Sequence, residues 1–247
     1  MHRTIVFVYA HPDDESFWGA GVAARYSAEG HRVVLAMATR GERGTCGTPP
    51  LCSIEELPRV RERELRDAVR IAGFAGLEFL DYEDQKLSDA PGDEIRRQLV
   101  TIFRRERPAI IGTFDPDGGN RHPDHMAISR FTSDAIAAAA DARWYPDAGA
   151  PHTVARLIWT PAIRPWDAPG ADLAGRPGVD FVIDTSRYWR RRADALAAHR
   201  TQREGIDRLF LKHDDVERIL SLEVFRHAWG PPLPAAPAED LFDGMGE

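Results

Sequence analysis

Apolar residues along this chain gather in short unbroken runs, separated by polar stretches of helical period. The first run, Ile5-Val6-Phe7-Val8-Tyr9, sits in a predicted strand at 3–9 and reads as buried on both faces. A helix is predicted over 16–29, ending at Gly30, and a second apolar strand over 32–38. Residues 55–72 are highly charged but place Leu57, Val60, Leu65, Val69 and Ala72 near helical spacing, which predicts an amphipathic helix. Strand 77–82, helix 93–105 and strand 109–114 follow, then a helix over 126–140 closing on the run Ala137 to Ala140. Strands at 154–160 and 179–184 and a long helix at 187–204 complete the pattern. Strands alternating with helices predict an α/β fold: Rossmann-like, a mostly parallel sheet with helices on both faces, in a single domain.

Two long connections interrupt this alternation. Residues 39–53 are rich in Gly, Thr and Pro, and a loop of that length inside a compact domain points to function. A second Pro/Gly-rich excursion covers 161–178. The domain is expected over 1–230, with the Pro/Ala-rich, acidic stretch 231–247 as a flexible tail.

Composition narrows the classes. A length of 247 residues suits one large α/β domain. A net charge of −7 argues against nucleic acid as a partner, which would call for a basic stripe. The cluster Arg190-Arg191-Arg192 lies on a predicted helix and reads as a solvated or snorkelling face. No apolar stretch approaches the ~20 residues that span a bilayer, so no membrane span is expected. The first strand begins too early to leave room for a signal peptide, and a cytoplasmic location is expected. Cys46 and Cys52 are then expected to be free thiols.

The chemistry concentrates at two strand ends. A-H-P-D-D-E at 10–15 follows the first apolar run, and H-P-D-H at 122–125 follows another. In open α/β sheets such loops collect ligands and catalytic groups. One His and three carboxylates in five residues are costly to desolvate unless a cation or protons offset them. His11 and Asp14 can turn toward one point, and His125 from the second string would complete a three-ligand metal set with an open position. Asp13, between the first two, can face that position and take a proton from water as general base. His122 beside Asp124 can be held cationic, which suits an oxyanion or a departing amine.

As a pair these strings resemble the LmbE-like, or PIG-L, family of zinc-dependent de-N-acetylases. The resemblance extends over T-R-G-E-R-G at 39–44, R-E-R-E-L at 61–65, L-D-Y-E-D at 80–84 and A-H-R-T-Q at 198–202, in matching order across roughly residues 4–205. It implies His11, Asp14 and His125 as zinc ligands, Asp13 as general base, and His122 as acid or electrostatic catalyst oriented by Asp124. It also implies substrate contacts at Arg61 and Asp84, with Glu42 in the matching loop. Mycothiol-pathway members carry a Tyr two residues before the first His of the second string. Here Asn120 stands there, followed by Arg121, and either side chain can donate to an oxyanion. The same His/His/Asp set accepts iron(II) or cobalt as well as zinc.

The implied reaction is hydrolysis of an N-acyl group, acetyl first, on a small amino sugar. A thiol-conjugate amidase of the same family and a two-metal phosphoesterase remain alternatives. A nucleotide binder is disfavoured, because no G-x-G-x-x-G follows the first strand. A homo-oligomer is left open. Glu15 and His199 are read as supporting residues, Glu15 capping a helix and His199 packed or hydrogen-bonded.

Overall fold

The structure, a computed structural model, describes residues 2–161, 173 and 176–246, so most of the 161–178 excursion lies outside the described residues. Seven strands form one sheet in the order β3-β2-β1-β4-β5-β7-β6. They are β1 (Thr4–Tyr9), β2 (Arg32–Thr39), β3 (Gly76–Tyr82), β4 (Ile110–Phe114), β5 (Arg156–Thr160), β6 (Phe181–Asp184) and β7 (Leu222–Trp229). The pairings β1–β2, β2–β3, β1–β4 and β4–β5 are parallel, and β7 runs antiparallel to both its neighbours. Among the described residues no helix is long and apolar enough to cross a membrane.

The sheet is α/β and mostly parallel, as the alternation predicts, and the apolar runs explain why. Ile5 to Tyr9 and Val33 to Ala38 are almost wholly buried, the pattern of parallel strands covered on both faces. The chain leaves β1 in one direction to build β2 and β3, then returns to the other side of β1 to build β4 and β5. The order therefore reverses between β1 and β4, and the loops after these two strands share the crevice where such sheets bind ligands.

The helices are α1 (Asp14–Trp18), α2 (Ala20–Ala28), α3 (Leu57–Ala72), α4 (Gly92–Glu106), α5 (Pro123–Ala140), α6 (Trp189–Ala198), α7 (Arg203–Ile206) and α8 (Val216–Leu220). The single helix predicted over 16–29 is broken at Gly19, and a buried ion pair satisfies the break. Glu223 of β7 accepts from the backbone N–H groups of Gly21 and Val22, and Arg192 of α6 donates to the carbonyls of Ser16 and Phe17. These are the orphan groups that a helix start and a helix end leave behind. Arg192 lies 3.3 Å from Glu223 and is 1 % exposed, so the solvated face expected for Arg190-Arg191-Arg192 does not hold for Arg192. Its charge is paired by a strand with no recognised signal in the sequence.

Two further expectations are corrected. The helix predicted over 187–204 ends at Ala198, because Glu64 of α3 accepts from both the backbone N–H and the hydroxyl of Thr201 and draws the chain aside. Residues 231–246 are docked rather than loose. Ala238 pairs with Phe181, the Leu241 N–H donates to the Tyr26 hydroxyl at 2.7 Å, and Arg156 donates to the carbonyls of Pro231, Leu241 and Asp243.

Gly112, in the middle of β4, leaves room for the Phe7 ring of β1: a Cβ there would lie 2.5 Å from that ring. Gly112→Ala overpacks the sheet centre and is expected to cost about 1–3 kcal/mol. A lower urea midpoint with an unchanged slope would show it.

Candidate active site

The first loop is a tight turn made by its own side chains. The Asp14 N–H donates to the His11 carbonyl at 3.2 Å, and the His11 N–H donates to Asp14 Oδ2 at 2.8 Å. This reciprocal pair sets the two side chains next to each other at the end of β1. Thr39, closing β2, donates to the Ala10 carbonyl through both its N–H and its hydroxyl, which pins the turn to the sheet. After β4, Gly118 adopts φ +77 and offers its carbonyl to His125 Nδ1 at 3.1 Å. Phe114, the last residue of β4, stacks on the His125 ring with centroids 3.9 Å apart.

These contacts fix the tautomers. A carbonyl only accepts, so His125 carries its proton on Nδ1 and presents the Nε2 lone pair. That atom faces His11 Nδ1 at 3.2 Å and Asp14 Oδ1 at 3.4 Å. The other nitrogen of His11, Nε2, lies 3.1 Å from both Asp84 Oδ1 and Asp124 Oδ2. His11 Nδ1 and Asp14 Oδ2 are 3.6 Å apart. A tetrahedral ion with bonds of about 2.0–2.1 Å needs ligand atoms about 3.3–3.4 Å apart. The two imidazole nitrogens lie close to that spacing with Asp14 beside them, and each ring is oriented through its far nitrogen, as metal-bound histidines are. His11, His122 and His125, or His11, Asp84 and Asp124, also gather closely enough to hold an ion. The residues therefore fit a divalent cation.

The electrostatics agree. Burial alone would lower His11, but hydrogen bonds to Asp124, Asp14 and Asp84 hold it well above the ordinary histidine value. Burial alone would raise Asp14, yet His125 and His11 hold its carboxyl down at about 2. Burial pushes Asp13 up to about 7, with Arg61 opposing and Asp14 adding to the push. Burial and the charge of His11 keep His122 below its usual value.

The roles expected around this centre shift in three places. Asp124 does not orient His122 through its carboxylate. Both its oxygens serve His11 Nε2 and the backbone N–H groups of Gln85 and Leu87, while its own N–H donates to His122 Nδ1 at 3.2 Å. His122 is consequently neutral, with its proton on Nε2, rather than cationic. Arg61 is 3 % exposed and spends its guanidinium on Asp13 Oδ2 at 3.0 Å and on the carbonyls of Gly41 and Pro12. A Cβ at Gly41 or Gly44 would overlap that guanidinium, which explains both glycines of T-R-G-E-R-G.

Asp84 faces His11, and Glu42 accepts the Asp84 N–H at 2.8 Å. Asn120 lines the cleft while its Oδ1 accepts the His122 N–H, and Arg121 is exposed outside the cleft wall. Glu15 and His199 form a buried pair, and Cys46 and Cys52 are free thiols. The cleft encloses about 270 Å³, and its walls add Phe17, Trp18, Arg43, Gly44, Gln85 and Gln202. Arg43, Gly44 and Gln202 lie in strings singled out by resemblance without a role, whereas Trp18 and Gln85 carry no signal in the sequence.

Against known families, PIG-L, described as GlcNAc-PI de-N-acetylase, matches residues 6–136. This chain belongs to the PIG-L family. Curated relatives named 1D-myo-inositol 2-acetamido-2-deoxy-alpha-D-glucopyranoside deacetylase are similar along nearly the whole chain. That of Streptomyces griseus is 34% identical, over 98% of this chain and 89% of its own length. That of Thermobifida fusca is 33% identical, over 97% and 99%. Among solved structures, a conserved protein from Thermus thermophilus has 27% identity and a TM-score of 0.71, covering 96% of this chain and 100% of that one. N,N'-diacetylchitobiose deacetylase from Pyrococcus horikoshii, at 19% identity and a TM-score of 0.70, covers 91% of this PIG-L chain and 83% of its own and shares the fold.

Two expected outcomes follow from the charges. A proton and a divalent ion compete for His11 Nδ1, so metal affinity falls as pH falls, by up to about tenfold per pH unit for one displaced proton. Because His11 is raised, affinity keeps climbing above the ordinary histidine value of about 6.5, as a competition titration with a chromophoric chelator would read. Arg61→Met removes the cation that opposes burial at Asp13, so the Asp13 value rises further, by about one unit or more, measured by carboxyl carbon NMR.

Proposed function

We propose that this PIG-L protein is a zinc-dependent deacetylase that hydrolyses the N-acetyl group of a small, uncharged amino sugar. His11, Asp14 and His125 hold the ion, Asp13 is the acid-base group, and His122 is the oxyanion donor. The observation that carries this reading is the pair of imidazole nitrogens, His11 Nδ1 and His125 Nε2, facing each other 3.2 Å apart beside Asp14. With lone pairs on both, that approach calls for a proton or a metal ion between them.

A bound divalent ion supplies Lewis acidity at this point, polarising an acyl carbonyl and making water a stronger acid. The rest is done by the chain. Asp13, held toward the cleft by Arg61, takes a proton from the attacking water. His122 presents Nε2–H to the oxygen on which charge develops, and a neutral imidazole suits a hydrogen bond that strengthens without losing its proton. A carboxyl poised near neutrality both accepts and returns a proton, so Asp13 then protonates the departing nitrogen. The carbon–nitrogen bond breaks, giving acetate and the free amine.

Polar side chains of Gln85, Asn120 and Gln202 ring the cleft and suit sugar hydroxyls, while Phe17 and Trp18 offer an apolar wall. Its cations are engaged, Arg61 with Asp13 and Arg43 with Glu83, so an anionic substrate gains little there. This disfavours the phosphoesterase reading.

The purified protein is expected to bind one zinc per chain and to release free amine and acetate from N-acetylglucosaminyl inositol in preference to thiol conjugates. Release from thiol conjugates alone would favour the amidase alternative, and no release from any N-acetyl sugar would overturn the reading. Asp13→Asn should lower kcat by roughly 10²–10⁴-fold with zinc retained. His125→Ala should lose zinc and activity together, by metal analysis and amine release.

A further inference from the structure

Asp13 adopts φ +115 and ψ −28, a backbone conformation that side-chain-bearing residues avoid. Something must hold it there, and the contacts show what. Its carbonyl accepts from Ser16 N–H at 2.9 Å and Phe17 N–H at 3.1 Å, and its carboxylate is met by Arg61. Its N–H donates to Glu15 Oε2 at 3.0 Å. The other carboxylate oxygen of Glu15, Oε1, receives His199 Nε2 at 2.8 Å and the Ser16 hydroxyl. Glu15 and His199 are each wholly buried. Burying a charged pair costs more than a packed apolar pair of the same volume, so its presence points to a geometric task.

We infer that Glu15, braced by His199, is the positioning residue that locks Asp13 in its left-handed conformation and thereby aims the base. The pair lies behind Asp13, away from the cleft wall, so it touches neither substrate nor metal position. A carboxylate at 15 accepts the inward-turned Asp13 N–H directly. His199 stands at the end of α6, where the chain turns toward Gln202 of the cleft, so two hydrogen bonds in series, Asp13 to Glu15 and Glu15 to His199, tie the base to that wall. With Glu15 removed, the Asp13 N–H loses its acceptor, the backbone relaxes toward negative φ and the carboxylate swings off line. Misplacement of a catalytic group by about 1 Å is worth on the order of 10²-fold in rate.

The inference rests on the proposed role of Asp13, and the test separates the two. Glu15→Ala is expected to keep one zinc per chain and an unchanged KM while kcat falls on the order of 10²-fold. Glu15→Gln, whose amide oxygen still accepts the Asp13 N–H, should restore most of kcat. Hydrogen exchange at the Asp13 amide gives a readout without substrate or metal: slow in the wild type and Glu15→Gln, fast in Glu15→Ala. If the alanine variant does not fold, His199→Asn removes only the brace and should give intermediate losses of kcat and of amide protection. A Glu15→Ala or His199→Asn protein with wild-type kcat and a protected Asp13 amide would overturn the inference, as would a kcat loss matched by loss of zinc. A wild-type protein that deacetylates nothing would instead sink the proposed function, and the amide-exchange arm would still judge the role of Glu15.

Discussion

Three carboxylates at consecutive positions, Asp13, Asp14 and Glu15, cannot share a buried turn unless each meets its own positive partner. The fold supplies those partners from three separate places. Arg61 reaches Asp13 from α3, His11 meets Asp14 from within the turn itself, and His199 reaches Glu15 from the end of α6. Arg61 and His199 belong to helices whose apolar residues, such as Leu65 and Leu196, are buried, so these helices serve the electrostatic demand and the core together. Desolvation then becomes useful. It lifts Asp13 toward neutrality while Asp14, close to two imidazoles, stays ionised. Adjacent residues of the same type acquire opposite properties through their neighbours alone.

The sheet supports this by geometry more than by chemistry. Reversal of strand order between β1 and β4 brings the two loops together with no long-range signal in either. Continuous apolar strands make that placement rigid, because neither face of the sheet is free to slide. Helices α1 and α2 are separated at Gly19, and the buried Arg192–Glu223 pair holds that break through the backbone groups on either side. A distant ion pair thus secures the junction between the first two helices.

Much of this was legible in the sequence, and the exceptions share a cause. The parallel strands, the amphipathic α3 and the two His/Asp strings follow from patterns within a few residues of one another. What escaped depends on contacts between distant segments. Strand β7 mixes Glu223, Arg226 and His227 with apolar residues, so no simple period marks it. Arg192 looks like one of three surface arginines until Glu223 is placed beside it. The last segment looks loose because Pro and Ala carry no pattern, yet Arg156 and Tyr26 catch its backbone. At the site, the family resemblance marks Asp124 and Arg61 as important, but their targets depended on which loop lies under each side chain.

Asp124 has a consequence for how such a site changes over time. Its carboxylate gathers the loop after β1 through His11 and the segment after β3 through Gln85 and Leu87, while its own position opens α5, directly behind the loop after β4. Three loops are knotted at one point beneath the reacting centre. The loop 39–53 stands above the knot and is tied to a different part of the molecule, through Thr45 to Thr201 and through Thr48 to Glu204. Sequence can change in the outer part of that loop, beyond the glycines that seat Arg61, while the junction below keeps its shape. A change in that outer rim can therefore alter which sugar enters while the floor that cuts the amide stays the same.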